Sequence, residues 1–278
     1  MPNLILQPKL KLSSMRKLAI GTWRTTYDPS VYGSMSLNMD NTLVYLEHFR
    51  KSTGRKLTLS HIMAKVMGMV LKEMPDVNAI LRFNRIFLRK DIGVFFQVAM
   101  EDPKTGELDL SGMVIQDPHV KSLVEIYDEF AERVEKVRSY RDEHLEETRS
   151  LIKRIPHFLL HSFVDLLGYL SYELNLDLSW LGLPKDAFGS VMITNVGSLG
   201  LEEAYVPLVP YSRVPLLIAL GKVQDEAVVI DKKVEIVSMM KIFATFDHRI
   251  LDGAHAAKMS SLVKEYIENP YTYFDDLA

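Results

Sequence analysis

The chain contains no cysteine. It therefore offers no thiol nucleophile, no disulfide, and no thiolate ligand for zinc or an iron–sulfur cluster. Any thiol chemistry must use a thiol that arrives with the substrate. A surplus of one charge is also missing: 33 Lys and Arg stand against 36 Asp and Glu, a net charge of −3. That balance supplies no electrostatic footprint for a nucleic acid. No stretch reaches the roughly 18 uncharged apolar residues that a membrane helix needs, so no membrane span is expected. The N-terminal apolar run is too short for a secretory signal and is broken by Gln7 and Pro8. A cytoplasmic location is the default expectation. Internal repeats and low-complexity linkers are lacking too. No glycine-rich phosphate loop is evident, because Gly197-Ser198-Leu199-Gly200 has the wrong spacing.

What is present suits a globular enzyme. The 278 residues are 47% hydrophobic and 25% charged, which is ordinary for a folded domain. The length allows one large domain or two small ones. Residues 41–52 suit a short helix. Residues 58–74 carry Ile62, Met63, Val66, Met69 and Val70 at helical spacing, with Thr58 or Ser60 to cap the start and Pro75 beyond the end. Met63, Met67 and Met69 read as core packing. Residues 79–89 and 92–101 read as one strand each, a turn follows at 101–107, and a third strand spans 110–116. A long charged helix is predicted from Lys121 to about Arg149, with Leu123, Ile126, Tyr127, Phe130, Val134 and Val137 on one face. Later strands are expected at 189–196, 214–221 and 234–246, and a last helix from about Asp252 to Glu268. Several strands follow one another directly, which argues for an α+β fold with a mixed sheet and helices on its faces. Residues 150–185 stand apart as a Leu-, Phe- and Tyr-rich connection with few charges. They suit one or two amphipathic helices serving as extra core or subunit interface, as a lid, or as a membrane-surface helix.

The run Phe246-Asp247-His248-Arg249-Ile250-Leu251-Asp252-Gly253 carries the most chemical information. It ends an apolar strand and precedes a helix, where a scaffold can aim a side chain into a cleft. Histidine can take a proton and return it within one turnover near neutral pH. Asp252 could fix the turn or cap the helix, and Gly253 permits close backbone approach. On these features alone His248 is structural as readily as catalytic. His255, near the start of the last helix, suits a surface or interface role. His157 and His161 are four apart, but no third metal ligand stands near them.

The run from Asp247 to Pro270 resembles the C-terminal signature of the 2-oxoacid dehydrogenase acyltransferases, the dihydrolipoamide acyltransferase family, relatives of chloramphenicol acetyltransferase. That signature is a D-H-R-x-x-D-G-A motif, a helix and a closing x-P. Gly189 to Gly197 is similar to the family's G-x-F-T-I-S-N-L-G strand. Pro215 to Gly221, Arg16 to Ile20, Lys56 to Asn78 and Leu110 to Ile126 follow other family segments. The resemblance covers about residues 14–140 and 188–272.

It implies a chloramphenicol-acetyltransferase-like two-layer sandwich. It also implies an acyl transfer between coenzyme A and a dihydrolipoamide-like thiol. His248 would be the general base and Thr194 the oxyanion donor, with Asp252 in the catalytic motif. Arg16 would be the partner of Asp252, with Arg24 second, and Asn195 and Gly253 would give local support. No residue is assigned to holding coenzyme A, which enters as the acyl-coenzyme A substrate, and no metal is implied. A homotrimer or a larger assembly of trimers is implied, with the site between subunits. The expectation is one catalytic domain over 1–278, with a helical insertion at about 150–185 and no lipoyl or subunit-binding domain. A lipoyl group would then come from another protein in trans. The strand at 110–116 departs from the family by lacking its proline and basic residue. Two other readings stay open: a coenzyme-A-dependent O- or N-acyltransferase acting on a small molecule, or an inactive assembly scaffold with the same fold.

Overall fold

The computed structural model describes residues 2–9, 29–101, 108–139 and 156–277. Among these, a six-stranded mixed sheet forms the centre. Its strands are β2 (Ser30–Asn38), β5 (Gly93–Glu101), β6 (Leu108–Gln116), β7 (Val191–Asn195), β8 (Leu216–Ile230) and β9 (Lys233–Asp247). The spatial order is β2-β9-β8-β7-β5-β6. β7 runs parallel to both β5 and β8, and the other pairings are antiparallel. A separate three-stranded sheet joins β1 (Leu6–Pro8), β4 (Arg85–Arg89) and β3 (Ala79–Arg82). The expected α+β class with a mixed sheet is what the chain adopts.

Helices cover one face of the large sheet. They are α1 (Asp40–Thr53), α2 (Leu59–Glu73), α3 (Leu123–Arg138) and α5 (Gly253–Glu268). β7 and β8 show why this face is dry. Val191, Ile193, Leu216, Ile218 and Leu220 alternate onto it and join one large cluster with Ile62, Met63, Met67, Ile126 and Ile267. The period of two along a strand decides which residues those are. α3 presents the predicted face: Leu123, Ile126 and Val137 are buried, and Tyr127, Phe130 and Val134 pack against the cluster. Its Ser122 N-cap and Glu125 form a reciprocal capping box. Among the described residues the other face carries only small clusters, around Phe95, Met192 and Leu217 and around Val196, Ala219 and Phe243. Tyr32, Tyr205, Leu199 and Leu201 remain exposed beside it.

Two expectations need correction. Residues 79–89 are not one strand but the hairpin β3–β4, which turns at Phe83 and Asn84, both with positive φ. Two such residues make the tight turn that suits strand twist. Phe-Asn is not the usual Asn-Gly, which hid it. β8 and β9 also run well past residues 221 and 234, into a hairpin closed at Asp231 and Lys232.

The stretch from Tyr169 to Asp186 packs against the small sheet. α4 (His157–Gly168) leads into a wider turn at Tyr169–Glu173. Tyr172 is buried with Leu4 and Ile80. Asn175 imitates a strand edge: its side chain accepts from the Leu4 N–H at 2.6 Å and donates to the Leu4 carbonyl at 2.7 Å. Arg82 donates twice to the Glu173 carbonyl, at 3.1 and 2.8 Å, and Arg89 pairs with Asp186 in a buried ion pair. Part of the segment is thus extra core, while Trp180 is 77% exposed and Leu166 54%. No described helix is long and apolar enough to cross a membrane.

Candidate active site

β9 delivers His248 at its end. The strand is held by β2 on one side and β8 on the other, down to the pair Ser30–Asp247. The Asp247 N–H donates to the Pro215 carbonyl at 2.8 Å, and the His248 N–H donates to the Pro29 carbonyl at 2.7 Å. The chain then turns: the N–H groups of Ile250 and Leu251 both return to the Asp247 carbonyl, at 3.0 and 2.9 Å. Ile250 and Leu251 are buried beneath this turn. The imidazole is half-buried, and its Nδ1 lies 2.8 Å from the Leu251 carbonyl oxygen. A carbonyl can only accept, so Nδ1 carries the proton. In the neutral ring the lone pair then belongs to Nε2, the nitrogen suited to act as a base.

Asp247 and Arg249 flank His248 and form a buried pair of their own. Arg249 Nε donates to both carboxylate oxygens, at 2.9 and 3.1 Å, and Nη2 donates at 2.6 Å. Their side chains are only 6% and 7% exposed, among Leu208, Val209, Val214 and Ile250. The forked geometry is the strong form of this contact. It fixes the backbone on both sides of His248. Sequence reasoning assigned Arg249 no role. The available signal was an acid and a base two residues apart at a strand end.

Asp252 is the N-cap of α5. Its Oδ1 accepts from the N–H groups of Ala254 and His255, both at 3.1 Å. The same oxygen lies 2.6 Å from Nδ1 of His255. Gly253 is exposed at the first position of the helix. Arg16 and Arg24, the expected partners of Asp252, lie outside the described residues.

Thr194 sits near the end of β7, paired with Ala219 of β8. It shares the sparsely covered face with Met192, while Asn195 turns toward the helices. Asn195 Nδ2 reaches Ser60 Oγ on α2 at 3.4 Å, and Asn195 Oδ1 accepts from the Ser198 N–H at 3.0 Å. Gly197 follows because a Cβ there would collide with the Gly221 backbone. Within one chain Thr194 and His248 do not meet. Thr194 is level with Ala219, and Ala219 with Phe243, five residues before His248. The separation is roughly 16 Å along the strands and about 10 Å across two of them.

His161 lies 3.3 Å from Asp165 on α4, and no group of three or more metal-ligating side chains occurs among the described residues. Met63 and Met67 are fully buried, as core residues should be.

Comparison with known proteins agrees with this architecture. Azotobacter vinelandii dihydrolipoamide acetyltransferase was crystallised to examine a serine, a histidine and an asparagine in its catalytic mechanism. It superposes with a TM-score of 0.64 at 19% identity, over 97% of this chain and 92% of that one. Chloramphenicol acetyltransferase superposes with a TM-score of 0.50 at 14% identity, over 95% and 100% of the two chains. The fold is thus the chloramphenicol-acetyltransferase-like sandwich. In sequence, the chain is 22% identical to the lipoamide acyltransferase component of the Bacillus subtilis branched-chain alpha-keto acid dehydrogenase complex over 245 residues. The match takes in 87% of this chain but only 47% of that protein, so the chain spans about half its length. The model of the 2-oxoacid dehydrogenase acyltransferase catalytic domain matches residues 8–150 and 185–274 and skips the segment that packs on the small sheet. With the motif strand, the motif helix and most of the chain inside that match, the protein belongs to the 2-oxoacid dehydrogenase acyltransferase catalytic-domain family.

Proposed function

We propose that this chain transfers an acyl group between coenzyme A and a dihydrolipoamide-like thiol, with His248 as general base. The observation that carries the reading is the orientation of one ring. His248 closes the motif strand with Nδ1 donating to the Leu251 carbonyl, which puts the lone pair of the neutral ring on Nε2. A thiol with a pKa near ~8.5 is mostly protonated at neutral pH, so a placed base contributes directly. Nε2 takes the S–H proton as sulfur bonds to the thioester carbonyl carbon. The carbonyl oxygen becomes an oxyanion and accepts a hydrogen bond from Thr194 Oγ1. Collapse breaks the original carbon–sulfur bond, and Nε2 returns the proton to the departing thiolate. The Azotobacter study names a histidine and an asparagine four residues apart in its catalytic mechanism. His248 and Asp252 have that spacing here.

Thr194 and His248 lie far apart in one chain, so the reading requires Thr194 of a neighbouring copy. A homotrimer or an assembly of trimers supplies one. The sheet face around Tyr32 and Tyr205, thinly covered by the described residues, is consistent with burial by another copy. In this reading the family match is one catalytic domain, and residues 150–185 are an insertion in it.

The test is acyl transfer from a panel of acyl-coenzyme A thioesters to dihydrolipoamide, alcohols and amines. His248→Ala should lose roughly 100- to 10,000-fold in kcat while the protein stays folded and assembled. Thr194→Val should lose on the order of 100-fold. Full activity in His248→Ala would end the assignment. Transfer to alcohols or amines alone would move the acceptor, and absence of coenzyme A binding by calorimetry would favour a scaffold.

A further inference from the structure

We propose that this chain carries a second site, a cavity that binds a small zwitterion of the α-amino acid class. The N-terminal residues, the small sheet and the stretch before β7 meet there, over the end of the β5–β6 pair. Gln116 ends β6, and β6 is the fourth strand from β9 in the sheet, roughly 19 Å across from the strand that ends at His248.

The cavity measures about 300 Å³. That is space for about ten water molecules, enough for an amino acid. Its wall contains a cation with donors to spare. Arg89 ends β4, lines the cavity, and has a side chain only 6% exposed. Its Nη2 donates to Asp186 Oδ2. Among the described residues nothing accepts from its Nε or Nη1. A guanidinium presents five N–H donors in a planar fork that fits a carboxylate. Donors left idle at this depth are costly unless a ligand or solvent meets them.

The same wall holds idle acceptors. Gln116 Oε1 and Asp186 Oδ1 are buried with no hydrogen-bond partner among the described residues. Asp91 is exposed at the wall, and Asp117 is half-buried there with Oδ1 accepting from the Ile92 N–H at 3.0 Å. Lys185, also exposed, is the second cation.

This mixture of charges decides the class of ligand. A plain anion would meet three carboxylates beside its two cations. A plain cation would meet Arg89 and Lys185. No group of three or more metal-ligating side chains occurs among the described residues, which sets a metal ion aside. A molecule with both charged groups answers both halves of the wall. Its carboxylate takes the free edge of Arg89, and its ammonium faces Asp91, Asp117 and Gln116. Leu4 supplies an apolar wall for the remainder.

The experiment titrates the full chain with the common L-amino acids, one at a time, by calorimetry. At least one should bind with a Kd below about 1 mM. Its methyl ester lacks the carboxylate and its N-acetyl form lacks the ammonium, and each should bind at least about tenfold more weakly. Lys185→Ala and Asp91→Asn change exposed residues and should fold as wild type does by circular dichroism. Each should weaken binding by about two- to fivefold. Arg89→Met combined with Asp186→Asn removes the fork without stranding its partner's charge, and should weaken binding by at least about tenfold. If that pair does not fold, the two surface variants decide. Absence of binding by every amino acid at about 10 mM would overturn the proposal, the cavity then holding solvent alone. Equal binding of the ester and the N-acetyl form would overturn it too. So would unchanged affinity in both Lys185→Ala and Asp91→Asn, which would put the ligand elsewhere on the chain.

Discussion

Two helices in this protein begin with the same device and use it differently. α2 starts at Thr58 with His61 at its third position, and α5 starts at Asp252 with His255 at its third position. In α2 the Thr58 N–H donates to His61 Nδ1 at 3.0 Å, so that nitrogen is an acceptor. The ring lies against Tyr127 and Phe130, with centroids 5.2 and 4.5 Å away. Burial pushes its pKa down to about 4. In α5 the imidazole faces a carboxylate, Nδ1 is a donor, and the ring is 26% exposed. One histidine is a neutral core group that closes a cap. The other is a polar group next to the proposed base. Position on the helix is the same, and surroundings alone separate the roles.

The largest expected effect comes from the approach to α5. Arg249→Met would strand the Asp247 carboxylate in a buried site, and removing one partner of such a pair costs about 3–5 kcal/mol. Urea unfolding followed by circular dichroism should show that loss. A loss below ~1 kcal/mol would mean the pair does not secure the strand end.

The second effect concerns α2 and has a sign. Between pH 6.5 and about 4 the unfolded chain binds a proton at His61 that the folded chain does not. The contribution of this group is therefore present above the unfolded value and is lost as pH falls through that window. The amount is on the order of 3 kcal/mol. His61→Gln keeps an acceptor for the Thr58 N–H, as in a Thr-x-x-Gln capping box, but cannot titrate. Its stability should fall less steeply from pH 7 to 4.5 than that of wild type. Parallel curves would remove His61 from the acid response.

Third, Asp252→Ala should cost about 1 kcal/mol as a lost cap. It should also disturb turnover, whereas Thr58→Ala should affect stability alone. Last, His255→Asn should change stability by less than about 0.5 kcal/mol, as a partly exposed residue with a substitute donor. A large loss there would make His255 a structural residue like His61 and erase the contrast.

Much of this was legible in the residues. The period of 3.6 in Ile62, Val66 and Val70 and in Leu123, Ile126 and Phe130 fixed which helix faces are buried, because only those faces could leave water. The strand carrying Thr194 and the strand ending at His248 were visible as apolar runs before turn residues. Other features were not. β8 and β9 continue through residues 222–233, between the expected strands at 214–221 and 234–246. Their pairing comes from the hairpin at Asp231 and Lys232, and a solvated ribbon needs no apolar pattern. His255 read as a surface residue, since sequence spacing cannot say which oxygen a ring will face.

The sequence by itself determined the α+β class, the helix faces, and a motif histidine placed where a strand gives way to a helix. Those follow from local rules: side-chain periodicity, caps and turn residues. Tertiary structure alone decided that Nδ1 of His248 is committed to a carbonyl, that Arg249 locks Asp247, and that Thr194 is remote from His248 in the same chain. Such facts depend on directions and distances between segments far apart in sequence, which local preference cannot encode.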